Sequence, residues 1–144
     1  MSTSNQNYRN HLRFVPLWHL ITSLAIIALL VGSIIDLTYS AKENIYSASL
    51  LVLVSLILLS IFWYARSFAL RAQDRAIRAE ENLRHFALTG KLLDRRLRMG
   101  QIIALRFADD EEFIALAKRA AEEGIGNGAI KKAIANWKAD HHRV

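Results

Sequence analysis

The feature that most constrains this chain is a pair of long apolar runs that carry no charge. They cover residues 14–35 and 44–65, and each is 22 residues long. A helix of that length spans about 33 Å, which matches a hydrocarbon core of about 30 Å. Only Asp36, Lys42 and Glu43 are charged between residues 14 and 65. The pattern therefore predicts an all-α membrane protein with a two-helix transmembrane hairpin.

The basic residues that flank the two runs predict their orientation. Arg9 and Arg13 precede the first run, and Lys42 is the one basic residue of the connection. Because cytoplasmic flanks of membrane spans are enriched in Lys and Arg, we expect both termini in the cytoplasm. Cleavage of the first run as a signal peptide is the competing interpretation, but the run exceeds the usual 7–15 apolar residues of such a segment. We expect a multi-pass protein of the cell (inner) membrane.

Small residues at Ala25, Ala28 and Gly32 form a stripe along the first span. Such stripes let helix backbones approach closely within a membrane. We expect this one to pack against the second span of the same chain, opposite Ser55. Homodimerisation through the stripe is the alternative.

The second apolar helix is expected to continue far beyond the membrane, because no Gly or Pro occurs from Ser33 to Thr89. Gly90 then favours a left-handed helix end. In the extension, apolar residues alternate by four and three, which is an a/d spacing held for two heptads. We call these residues the seam: Ala72, Ala76, Ala79, Leu83 and Phe86. We also expect Glu80 to pair with Arg84 along the helix.

The segment after the second span is strongly basic. Residues 66–98 hold nine basic and four acidic side chains. Attraction to an anionic inner leaflet explains such a cluster next to a span more simply than nucleic-acid binding does. The residues expected at the membrane surface are Arg66, Arg71, Arg75, Arg78, Arg95 and Arg96.

The last part of the chain predicts three short amphipathic helices. The first covers residues 100–107. Asp109 is expected to cap the second, in a capping-box pattern with Glu112, and Gly124 to end it. Asn127 is expected to cap the last helix, which carries Trp137. Together with the seam, Trp137 is a candidate partner-binding residue.

These patterns divide the chain into six segments. They are an N-terminal cytoplasmic segment (1–13), the first span (14–37), an external loop (38–44), the second span (45–66), a juxtamembrane amphipathic helix (67–89) and a C-terminal cytoplasmic helical module (90–144).

No catalytic, cofactor or metal site is expected. Asp140, His141 and His142 form the one cluster of potential ligands, but a metal site needs three or four convergent ligands and the chain has no cysteine. The glycines from Gly124 to Gly128 match neither a Walker loop nor a strand–loop–helix context. We expect a protein that is not an enzyme.

Three sequence blocks resemble those of a family of small bacterial two-span membrane proteins of unknown function. They are Asn5-Gln6-Asn7-Tyr8-Arg9-Asn10-His11, with Arg13, Phe14 and Pro16 following; the stretch from Gln101 to Glu112; and the ending from Lys131 to Val144. The resemblance covers nearly the whole chain. It implies two spans with a cytoplasmic tail and brings no catalytic residues. Gly126-Asn127-Gly128 departs from the family's more polar helix start.

The favoured interpretation is a non-enzymatic, membrane-anchored interaction or scaffolding protein. Its expected contacts are anionic lipids and either a second copy of the chain or an unknown protein partner. The alternative is a membrane-tethered DNA-binding regulator that uses the helix pair within residues 110–140. The balance of seven acidic and seven basic residues after residue 98 argues against nucleic acid.

Overall fold

The structure, a computed structural model, describes residues 14–140. Within that range the regular elements are all helical, as predicted, apart from one isolated antiparallel bridge between Ala108 and Trp137. The described chain divides into a unit of residues 14–69 and a unit of residues 70–140. The elements are a π-helical turn (Leu17–Thr22), α1 (Ser23–Tyr39), α2 (Ile45–Thr89), α3 (Met99–Leu105), α4 (Asp110–Glu123) and α5 (Asn127–Ala133).

Residues 14–69 form an antiparallel pair of apolar helical segments. Trp18 stacks on Phe62 with ring centroids 4.4 Å apart, and the Ser33 and Ser55 hydroxyls lie 3.2 Å apart. Each serine hydroxyl also donates to a backbone carbonyl of its own helix, so these buried polar groups are satisfied. By length and composition, two helices are able to cross a membrane: Leu17–Tyr39 and the apolar part of Ile45–Thr89.

The small-residue stripe does not pack where it was predicted. Ala25, Ala28 and Gly32 are exposed, and a Cβ added to Gly32 would meet no atom within 4 Å. The contact with Ser55 is made by Ser33 instead. The expectation failed because neighbouring positions on a helix differ by about 100° in direction, so one residue of register selects another face.

The long second helix ends close to the predicted position. α2 reaches Thr89, and Gly90 follows with φ of +71°. The chain after Gly90 is held back on the helix by side chains of α2. His85 Nδ1 lies 2.6 Å from the Lys91 carbonyl oxygen, and Asn82 accepts a hydrogen bond from the Leu93 backbone N–H.

The unit of residues 70–140 has an apolar core to which α2 and all three short helices contribute. α2 supplies Ile77, the connection supplies Leu93 and Leu97, and α4 supplies a fully buried Phe113. Gln101 of α3 is buried too, and its side-chain amide donates to the carbonyls of Ala120 and Ile125. The remaining core residues are Ile102, Ala104, Leu105, Phe107, Ala108, Leu116, Ala117, Ala120, Ile130 and Ile134.

The predicted caps of α4 are correct at both ends, except for one side chain. Asp109 is the N-cap and accepts from the Asp110 backbone N–H, and Gly124 ends the helix with φ of +65°. Glu112 does not complete a capping box. Its carboxylate accepts from the backbone N–H groups of Ala135 and Asn136, because the C-terminal segment passes beside this helix end.

The last predicted helix is shorter than the sequence indicated. α5 begins at Asn127 with Gly126 at the N-cap, and the helix ends at Ala133. Trp137 therefore lies on an extended segment, not on a helix. That segment bonds to the chain after α3: Asp109 N–H donates to Asn136, and Lys138 N–H donates to Phe107. Tertiary hydrogen bonds of this kind override the weak helix preference of a short segment.

Truncation of Phe113 tests this core. We expect Phe113→Ala to lower the free energy of unfolding by about 3–5 kcal/mol, because it removes a fully buried aromatic side chain. The measurement is denaturant unfolding of the full-length protein in detergent, followed by tryptophan fluorescence. The matched control is Ile114→Ala, since Ile114 is 39% exposed and its loss should cost less than about 1 kcal/mol. Equal losses for the two variants would contradict the described core.

Candidate functional site

The seam on α2 is left uncovered within the described unit of residues 70–140. Ala72, Ala76 and Ala79 are all exposed. Leu83 is 67% exposed and Phe86 is 51% exposed. Leu83 and Phe86 lie in line with the three alanines at a/d spacing. Together they form an apolar stripe that no neighbour among residues 14–140 buries.

The tail packs on the far side of the same helix. Ile77 and Glu81 are buried, and the side chain of Arg84 is 12% exposed. At about 100° per residue, this covered face points roughly 150° away from the seam. Within residues 14–140, the fold therefore covers one face of α2 and leaves the seam on the opposite face exposed.

Arg84 is the main polar link between α2 and the tail. Its guanidinium contacts Glu81 at 3.1 Å, and its Nε donates to Asp110 at 2.6 Å. One further N–H donates to the carbonyl of Ala108 at 2.8 Å, and the cation lies over the Phe113 ring, 4.3 Å from its centroid. Hydrogen bonds between charged groups are roughly twice as strong as neutral ones, so these contacts tie the tail to this face of α2.

Sequence reasoning missed this role of Arg84. The expected partner was Glu80, four residues earlier, whereas the observed partners are Glu81 and Asp110. Glu81 lies four residues after the buried Ile77, and Arg84 lies three residues after Glu81. Ile77, Glu81 and Arg84 thus form a second stripe at positions i, i+4 and i+7, which was the signal in the sequence. Because two of its three members are charged, the stripe was not recognised as a packing face.

A cleft of about 640 Å³ lies between α2 and the C-terminal segment, and its lining extends from the covered face to Ala76 of the seam and the neighbouring Glu80. Three acidic and three basic side chains line it together with Gln73, Ala76, Ile77 and Ala139. Arg106 pairs with Asp140 at 3.1 Å, and its guanidinium lies over the Phe107 ring. The Nε atom of Arg106 is buried without a hydrogen-bond partner among residues 14–140. The charged lining residues are Glu80, Glu81, Asp140, Arg84, Arg106 and Lys138.

Two of the cleft's ionisable groups are perturbed by burial. Desolvation raises the pKa of Glu81, although Arg84 opposes the shift through charge and hydrogen bonding. Desolvation also lowers the pKa of Arg106, against the opposing effect of Asp140. Glu81 can therefore hold a proton more tightly than an exposed glutamate does. Among residues 14–140, the lining contains no hydroxyl, thiol or imidazole side chain that would act as a nucleophile.

The basic residues expected at a membrane surface are mostly open to solvent. Arg71, Arg75 and Arg78 are exposed, as are Arg95 and Arg96, while Arg66 is half-buried. Arg96 is bound to Asp94 at 2.7 Å, and this hydrogen bonding lowers the pKa of the exposed Asp94 carboxyl to about 2. Arg96 thus has an intramolecular counter-ion, which reduces the charge that it offers to another surface.

The remaining sequence-derived candidates lie apart from the seam. Trp137 is partly buried and packs on Phe107, with ring centroids 5.1 Å apart, so it belongs to the tail core. His141 and His142 lie outside the described residues. Across residues 14–140, no group of three or more His, Cys, Asp or Glu side chains is placed to hold a metal ion.

The pH dependence of unfolding tests the environment of Glu81. Because its pKa is raised above the ordinary 4.5, the folded chain binds this proton more tightly than the unfolded chain. The free energy of unfolding therefore falls as the pH rises from about 4.5 through the folded pKa. We expect Glu81→Gln to lack this decrease, so its stability relative to the native protein rises with pH in denaturant titrations.

Asp94 supplies a control of opposite sign. Its pKa is lowered from 3.8 to about 2, so its contribution is present above pH 3.8 and is lost as the pH falls towards 2. Asp94→Asn should lose stability relative to the native protein as the pH rises through that window. Parallel pH profiles for Glu81→Gln and the native protein would show that the carboxyl of Glu81 is not perturbed.

Comparison with known proteins bears on family membership alone. Neither the curated proteins nor the solved structures contain a match to this chain. A family model does match, and it covers residues 1–144. This agrees with the expected resemblance to a family of unknown function over nearly the whole chain. The chain belongs to DUF6526, a family of unknown function.

Proposed function

We propose that this protein is a two-span integral protein of the bacterial inner membrane that acts as a non-enzymatic interaction or scaffolding subunit. In this proposal the first unit anchors the chain, and the unit of residues 70–140 presents the seam in the cytoplasm. The observation that carries the proposal is the open seam, whose apolar side chains have no partner in the described fold.

Membrane insertion is supported by the exposure of the two apolar helices. Only 6% of the apolar window of Leu17–Tyr39 is buried, and 11% of that of Ile45–Thr89. The core helix of a soluble protein would be mostly buried, so low burial together with this apolar composition favours lipid as the surrounding medium. Tyr39 and Tyr46 are 86% and 72% exposed at the connected ends of the two helices, where aromatic residues suit a lipid headgroup region.

Cysteine labelling tests the proposed orientation. Because the chain has no native cysteine, only the introduced cysteine can react. In intact cells, Ala41→Cys should react with a membrane-impermeant maleimide, because the connection is placed outside. Ala129→Cys should react only after the membrane is made permeable, because the tail is placed in the cytoplasm. The reverse pattern would overturn the orientation and with it the cytoplasmic role of the seam.

An interaction role fits the chemistry of residues 70–140 better than catalysis does. Arg84, Glu81 and Arg106 all have ion-pair partners within the unit, and the pair of Arg84 with Asp110 joins α2 to the tail. The seam, by contrast, is apolar and open, and helices commonly bind partners through such faces.

The DNA-binding alternative receives less support from the same unit. α5 has seven residues, which make about two turns, and it packs mainly against α3. α4 begins with Asp110, Glu111 and Glu112, which would repel phosphate groups. Lys131 lies 5.5 Å from the centroid of the Phe107 ring.

Photo-crosslinking in native membranes tests the interaction role. We expect a photoreactive amino acid at Leu83 to give an adduct of defined mass, because that side chain lies in the seam and is open. The same group at Ile114, an exposed apolar position on α4, is the matched control. An adduct that Leu83 forms and Ile114 does not would support the seam as a contact surface. No adduct at Leu83, or equal adducts at both sites, would contradict it.

A further inference from the structure

We infer that the occupant of the seam is the seam of a second copy, with the two α2 helices paired side by side and parallel. The inference rests on the proposed membrane anchoring, because two copies inserted with the same orientation send their α2 helices in the same direction. In heptad notation, Ala76 and Leu83 occupy a positions, whereas Ala72, Ala79 and Phe86 occupy d positions. All five are exposed.

The charges beside the seam are complementary in this arrangement. Arg75 occupies a g position and Glu80 the following e position, and both are exposed. In a parallel pair, g of one helix faces e of the other, five residues along, so each Arg75 meets a Glu80 of the partner helix. Residues five apart on one helix do not face each other, so the complementarity exists only between copies. In an antiparallel pair, g positions face g positions and e positions face e positions, so Arg75 would not face Glu80.

The tail leaves room for this pairing. Ile77, Glu81 and Arg84 occupy b and f positions, which form the outer face of a coiled coil. These are the residues that the tail covers. Ala76 and Glu80 line the cleft beside the C-terminal segment, but both are exposed, so each copy can keep its tail in place while its seam is buried.

The seam is short, and two features compensate for its length. The four-and-three spacing extends back in the sequence to Ala65 and Ala69, which brings the repeat to three heptads. Anchoring both helices in one membrane raises the effective concentration of each seam for the other, so modest contacts suffice for association. The alanines permit a close approach, while Leu83 and Phe86 supply most of the apolar surface that becomes buried.

Disulfide trapping in lipid vesicles tests the geometry with the full-length protein. A disulfide requires Cα atoms about 4.4–6.8 Å apart, which equivalent seam positions of a parallel pair approach. We expect Ala76→Cys and Ala79→Cys to form crosslinked dimers several-fold faster than two controls. Ala115→Cys repeats the substitution at an exposed alanine of α4, and Arg78→Cys lies elsewhere on α2. Crosslinking at the seam no faster than at the controls would overturn the inference.

Charge exchange tests the register independently. In the Ala79→Cys background, Arg75→Glu or Glu80→Arg alone places like charges together, and each should reduce dimer formation about two- to fivefold. The double variant restores opposite charges and should recover the original yield. A double variant that stays as low as the single ones would overturn the parallel pairing.

These experiments distinguish failure of the pairing between copies from failure of the proposed interaction role. If Leu83 captures a different polypeptide and the seam cysteines form no disulfide, the inference that a second copy occupies the seam is wrong, while the interaction role stands. If Leu83 captures nothing and no disulfide forms, both the pairing and the interaction role fall.

Discussion

The contact on which the arrangement of residues 70–140 depends is the one that Arg84 makes with the tail. Its guanidinium joins Glu81 on its own helix to Asp110 and the carbonyl of Ala108 on the tail, and it lies over Phe113. These partners come from different parts of the unit, and together with the buried Ile77 they define the face of α2 that the tail covers. The seam lies on the opposite face.

The two tail segments on which the family resemblance was based contact each other in the fold. The block from Gln101 to Glu112 and the ending after Lys131 contact each other directly. Phe107 packs on Trp137, and Glu112 accepts two backbone N–H groups of the ending. Gln101, inside the core, bonds to the end of α4 and to the turn that follows. Mutual packing and hydrogen bonding therefore hold these two segments together.

The protein has two apolar surfaces of different kinds, one on the helices of residues 14–69 and the other at the seam. The helices of residues 14–69 expose apolar side chains on most sides, which suits lipid. The seam is narrow and bordered by charged residues such as Arg75 and Glu80, which suits a helix partner. This difference is why we assign the first surface to the membrane and the second to pairing between copies.

The sequence alone was sufficient for the elements that depend on local preference. The absence of Gly and Pro from Ser33 to Thr89 predicted the long α2, and Gly90, Asp109 and Gly124 marked helix boundaries correctly. It was not sufficient for α5, because the extended segment around Trp137 is held by hydrogen bonds to residues 107–112, distant in sequence. Short helices have little intrinsic stability, so such contacts decide their length.

The choice of helix faces also needed the tertiary structure. Periodicity identified the seam and the stripe of Ala25, Ala28 and Gly32 as apolar or small, but a stripe does not specify its neighbour. The fold left both exposed, packed Ser33 on Ser55, and placed Glu81 and Arg84 at the covered face. Composition and spacing determined which segments are helical and where charge accumulates. Side-chain packing between distant segments decided which faces are buried, because that free energy depends on contacts that no local pattern contains.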